Sequence, residues 1–75
     1  MAIPLYILIH AEKRQGDFVA QEANKINGVK MAHHVTGAID VIFYAEADDF
    51  SDIRRIREEV FGIQKVVRTE TAIHV

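Results

Sequence analysis

The chain is 75 residues long, 49% hydrophobic and 27% charged, with a formal net charge of −2 and a pI near 6.0. That length predicts one domain over residues 1–75, and the near-neutral charge argues against an electrostatic footprint for DNA or RNA over the whole domain. No apolar run reaches the roughly 20 residues of a membrane helix, and Met1-Ala2-Ile3-Pro4 lacks the basic stretch of a signal peptide, so a cytoplasmic location is expected.

A domain of this size removes only about 60% of its unfolded surface from water, which leaves its own core marginal. The usual remedies are disulfides, a structural metal or a partner chain. Disulfides are excluded, because the sequence contains no cysteine.

Residues 3–11 read Ile-Pro-Leu-Tyr-Ile-Leu-Ile-His-Ala, a near-continuous apolar strand that calls for cover on both faces. Residues 13–16 are polar punctuation. Asp17 is placed to cap a first helix, with Val19, Ala23 and Ile26 on one face and Asn27-Gly28 as its left-handed end. A second strand spans 29–35, with Val29, Met31, His33 and Val35 alternating against Lys30, Ala32 and His34. Thr36-Gly37-Ala38-Ile39 forms a short hairpin connection, and Asp40 opens a third strand, Val41-Ile42-Phe43-Tyr44-Ala45.

Asp48 or Asp49 caps the second helix, with Ser51 and Asp52 in a first turn that favours acidic groups. Phe50, Ile53, Ile56, Val60 and Ile63 form its apolar stripe, and Arg54, Arg55, Glu58 and Glu59 its solvated side. The helix ends at Gly62 or at Gln64, and residues 66–75 form the last strand. The two halves echo each other 34 residues apart, where Gly28-Val29 answers Gly62-Ile63.

The resulting β-α-β-β-α-β order predicts an α+β fold of the ferredoxin-like kind, an αβ-plait with a four-stranded antiparallel sheet and two helices on one face. Its first and third strands are central. The helix-free face then carries apolar residues, which marks a partner surface and predicts at least a dimer.

Four histidines invite a metal reading, but His33 and His34 leave a strand on opposite faces, and His10 and His74 fall at opposite ends of the sheet. No metal site and no cofactor are predicted. The missing Cys-x-x-Cys removes the metal-chaperone version of this fold. An enzyme reading finds no nucleophile–histidine pair, since the only serine is Ser51 in a helix first turn. A dimeric α+β barrel enzyme acting on a small organic substrate, with a pocket between sheet and helices and His34 or Tyr44 as its acid–base group, is the alternative.

Three segments stand out together: Gly28-Val29, the run Val35-Thr36-Gly37-Ala38-Ile39-Asp40, and Thr69-Glu70-Thr71. The middle run reads as a plain hairpin turn with Asp40 capping a free N–H, or as a small pocket for an anion and an amine. In the second reading, N–H groups around Gly37 bind a carboxylate and Asp40 pairs with an ammonium. Thr69 and Thr71 share a face and add hydroxyls, although β-branched residues also simply fill strands.

In these segments the chain resembles the Lrp/AsnC effector-binding domain, also called the RAM domain, over essentially its whole length. The shared features are the element order, Ile26-Asn27-Gly28-Val29, Val35-Thr36-Gly37 with Asp40, and Thr69-Glu70-Thr71-Ala72-Ile73. Lys65 departs from the glycine the family often has before the last strand. Typical members carry an N-terminal helix-turn-helix domain. This chain opens at Met1 directly on a strand, so the resemblance implies the stand-alone form. It further implies sheet-to-sheet homodimers that assemble into octamers, and a free amino acid as effector, bound between dimers by Gly37, Ala38, Ile39, Asp40, Thr69 and Thr71. Regulation would then act through partners such as full-length Lrp/AsnC regulators and not by direct DNA binding.

Overall fold

A computed structural model describes residues 2–75. Six elements follow in the expected order: β1 (Ile3–Ala11), α1 (Gly16–Ala23), β2 (Val29–His34), β3 (Val41–Ala47), α2 (Phe50–Phe61) and β4 (Val66–Ile73). The sheet order is β2-β3-β1-β4, antiparallel throughout, with β1 and β3 central. This is the ferredoxin-like αβ-plait that the element order predicts.

Strand alternation decides which residues make the core. Leu5, Ile7 and Ile9 of β1 and Val41, Phe43 and Ala45 of β3 are buried on the helix-covered side. They meet Val19, Ala20 and Ala23 of α1 and Ile53, Ile56 and Val60 of α2. The small residues Ala20, Ala23, Ala32, Ala45 and Ala47 let helices and sheet approach closely, while Phe43 fills the centre. Burying an aromatic side chain of that size contributes roughly 1.5–3 kcal/mol.

The structure corrects several local expectations. Helix α1 starts at Gly16 behind Gln15, which makes no side-chain cap, and Asp17 lies inside its first turn. It ends at Ala23 with Asn24 as its C-cap, three residues before the expected cap at Asn27. Asn24 replaces further helix by donating Nδ2 to the carbonyls of both Ala20 and Ala32, which ties α1 to β2. In α2 the cap is Asp49, whose carboxylate accepts the Asp52 N–H, and the helix stops at Phe61 before Gly62. Phe50 is not part of the stripe; it lies 77% exposed.

A bulge places Val29 opposite Ala45 and Met31 opposite Tyr44, leaving Lys30 as the extra residue. Val29 therefore packs on the core with Ala32, whereas Met31 and His33 lie on the helix-free face. The uniform alternation expected for this strand does not hold. A matching irregularity in β4 pairs Ala11 with Val66 and His10 with Arg68, skipping Val67. Before each bulge stands one residue with positive φ, Gly28 at 101° and Lys65 at 78°. The counterpart of Gly28 is thus Lys65. The 34-residue echo of Gly28 with Gly62 is incorrect at this point, because Gly62 caps α2 in the right-handed helical region.

Candidate functional site

The β2–β3 connection is held at its base and open at its tip. Val35 N–H donates to the Asp40 carbonyl (2.9 Å), and Asp40 N–H donates to the Ile9 carbonyl (3.0 Å). The Asp40 carboxylate accepts the Ala11 N–H at 2.8 Å. Above this anchor Gly37 adopts φ 119°, a conformation that L side chains rarely take, and a Cβ built there would meet nothing within 4 Å. Gly37 and Ala38 are exposed and Ile39 is half-buried. Among the described residues, no protein group accepts from the N–H groups of residues 36–39. The loop therefore offers free donors on a fixed base.

Thr69 and Thr71 lie on one face, opposite Ile9 and Ile7, on the helix side of β4. Strand β1 separates them from the Gly37 loop, which extends from β3 on the other side. Two strand spacings make this about 10 Å. One chain thus does not bring the two sets into contact. Thr69 instead lines a surface groove of about 450 Å³ with Arg54, Arg57, Glu58, Phe61 and Gly62.

The helix-free face has an apolar middle and a charged rim. Tyr6 and Tyr44 pack with ring centroids 4.9 Å apart, beside Leu8 and Ile42. Tyr44 donates to Glu46 Oε2 at 3.2 Å. Desolvation, then the Glu46 carboxylate, hold its hydroxyl above the ordinary tyrosine value. At one rim Arg68 Nη2 reaches His10 Nε2 (3.1 Å) and Glu70 Oε2 (3.2 Å). His34 points the other way, so that a Cβ on Gly16 would come within 2.6 Å of its Nε2. Among the described residues no cluster of three or more His, Asp or Glu side chains is arranged for a metal.

The basic run on α2 divides in two. Arg55 sits between Asp52 (2.8 Å) and Glu59 (2.8 Å) and also donates to the Asn27 carbonyl. These carboxylates, Glu59 first, raise its already high pKa further, and Asp52 is held below the usual aspartate value by the Asp48 N–H and by Arg55. Arg54 and Arg57 have no carboxylate within 4.0 Å among the described residues. Helix geometry assigns Glu59 to Arg55 alone.

Residues 5–75 match the family model described as the Lrp/AsnC ligand binding domain. The chain belongs to this family. An effector-binding, regulatory role comes with membership. Among solved structures, this Lrp/AsnC domain is similar to a Thermus thermophilus protein (TM-score 0.90, 19% identity, 97% of this chain and 92% of that one). It is similar to Escherichia coli AsnC at TM-score 0.86 and 15% identity, over 97% of this chain and 50% of that one. A Neisseria meningitidis transcriptional regulator, solved as an L-Met complex, gives TM-score 0.82 and 14% identity over 97% and 49%. At these identities the likeness carries the fold. No curated protein matches the chain. Among the described residues, no helix of the Lrp/AsnC domain is long and apolar enough to cross a membrane.

Proposed function

We propose that this Lrp/AsnC domain is a non-enzymatic cytoplasmic sensor of a free α-amino acid. It works as a sheet-to-sheet homodimer that assembles further, to octamers, and regulates through partners such as full-length Lrp/AsnC regulators. The observation that carries the reading is the Gly37 loop, whose free N–H groups stand over a base fixed by Asp40. A zwitterion needs donors for its carboxylate and an acceptor for its ammonium, partly shielded from water. Gly37, Ala38 and Ile39 supply the donors, and Asp40 keeps a second carboxylate oxygen for the ammonium or acts only as the anchor. Thr69 and Thr71 lie two strands away, so in this reading they come from a neighbouring protomer across the junction between dimers. That arrangement makes binding and assembly interdependent.

Two features weigh against the barrel-enzyme reading. The layer between helices and sheet is packed with buried side chains, and Tyr44 is directed to the helix-free face. The near-balanced charge supports the expectation that this domain does not bind DNA directly. Calorimetry against the twenty amino acids, methionine first, combined with sedimentation of free and loaded protein, tests the proposal. One or a few should bind and shift the assembly. Absence of binding by every amino acid at millimolar concentration would overturn it.

A further inference from the structure

The outer edge of β4 and the groove beside it form a second surface, which the effector reading touches only at the side chains of Thr69 and Thr71. Hydrogen-bond direction alternates along a strand. The Ile9 carbonyl receives Asp40 N–H from the β3 side, whereas the Pro4 carbonyl receives His74 N–H from the β4 side. Odd-numbered residues of β1 therefore face β3 and even-numbered ones face β4. Their partners in β4 follow: Arg68, Glu70 and Ala72 turn their peptide groups inward, opposite His10, Leu8 and Tyr6. Thr69, Thr71 and Ile73 turn theirs outward, along an edge with no further strand. Alongside runs the groove lined by Arg54, Arg57, Phe61 and Thr69, with Glu58 and Gly62, so that two guanidinium groups face one carboxylate. Both arginines lack an acidic partner, and Phe61 is 62% exposed.

We propose that this edge takes an extended acidic peptide as a fifth strand, with its carboxylates on Arg54 and Arg57. Strand addition supplies affinity through main-chain hydrogen bonds and specificity through alternate side chains. A residue added opposite Thr69 or Thr71 presents its side chain to the helix side, where the guanidinium groups and the Phe61 ring lie. Arginine binds carboxylates bidentately, and the exposed ring covers the aliphatic part of such a side chain. Charge selects this occupant over a second copy of the chain. The other free edge, β2, carries Lys30, His33 and His34, and pairing two β4 edges would gather four unpaired arginines.

The probe is a fluorescent ten-residue peptide alternating glutamate and valine, titrated into the full chain. Two N-methylated versions accompany it, one methylated at every glutamate and one at every valine. Added antiparallel, like every pair in this sheet, the peptide turns its glutamate N–H groups towards β4. Glutamate methylation should therefore abolish binding and valine methylation should spare it. Arg54→Gln with Arg57→Gln should weaken the parent peptide by at least about tenfold. Equal binding of the two methylated peptides, or of a lysine–valine peptide, would overturn the proposal. So would tighter binding of a single-stranded oligonucleotide of equal charge, loss of self-association in the double variant, or no peptide binding at millimolar concentration. Amino-acid binding is measured separately, by calorimetry without peptide, so failure of the peptide to bind leaves the sensor reading standing.

Discussion

The carboxylate of Asp40 accepts the backbone N–H of Ala11 at 2.8 Å, across 29 positions of the chain. This bond fastens the Gly37 loop to the end of the central strand, beyond the last β1–β3 pair, Ile9 with Val41.

Asp40→Ala leaves the Ala11 N–H without its partner and should cost about 1 kcal/mol of stability, read by urea unfolding. In the proposed sensor it should also weaken amino-acid binding about tenfold to a hundredfold. Asp40→Asn keeps an acceptor for Ala11 and removes the charge. Wild-type affinity in the Asn variant would show that Asp40 anchors the loop and does not pair with an ammonium.

Phe43 and Tyr44 are neighbours with opposite surroundings, one fully buried among helices and sheet, the other on the helix-free face. Phe43→Asp should abolish folding, because an aspartate there is buried without a partner. Tyr44→Asp should retain the circular dichroism of the folded chain and sediment as a monomer at micromolar concentration. A folded Tyr44→Asp dimer would contradict the proposed sheet-to-sheet assembly.

Lys65 holds φ 78° where glycine would be unstrained, and it occupies the place that Gly28 occupies in the first half. Lys65→Gly should therefore raise stability by about 1 kcal/mol, and Gly28→Ala should lower it by about as much. Chemical denaturation of both variants reads the two signs. A destabilised Lys65→Gly would mean that glycine's greater freedom in the unfolded chain outweighs the relief.

Asp52 titrates below the ordinary aspartate value because the Asp48 N–H and Arg55 favour its charged form. A depressed carboxylate contributes stability that is present above the unfolded value, near pH 4, and lost as the pH falls through the folded one. Wild-type stability should drop on acidification below about pH 4 more steeply than that of Asp52→Asn. Urea midpoints between neutral pH and about pH 2.5 measure the difference, and parallel curves would remove Asp52 as a contributor.

The fold was legible because its signals are local and periodic. The apolar run of β1, the alternation in β3 and the stripe Ile53, Ile56 and Val60 each identify an element without knowledge of the others. What escaped depends on distant partners. The early end of α1 is set by Asn24 reaching Ala32, and the shifted faces of β2 by one inserted residue, Lys30, which no composition marks. In the candidate site, Gly37 and Asp40 were visible as turn residues, but the bond to Ala11 joins segments far apart in sequence. Register also separates Thr69 and Thr71 from the loop within one protomer, which face-sharing alone does not reveal. Arg54 and Arg57 are left free because Asp52 and Glu59 both engage Arg55, a partition that depends on side-chain geometry and not on spacing alone.

Strands β1 and β4 are antiparallel neighbours, and the His74 N–H still bonds the Pro4 carbonyl past their last pair. The first and last described strands thus meet at one corner of the sheet. Force applied through the two ends would open this seam like a zipper, one bond at a time, instead of shearing all its bonds together. Mechanical resistance should be low even though the core is closely packed. The same corner makes the ends easy to join by a short linker, so a permuted chain could open at Gly37 with its ladder intact.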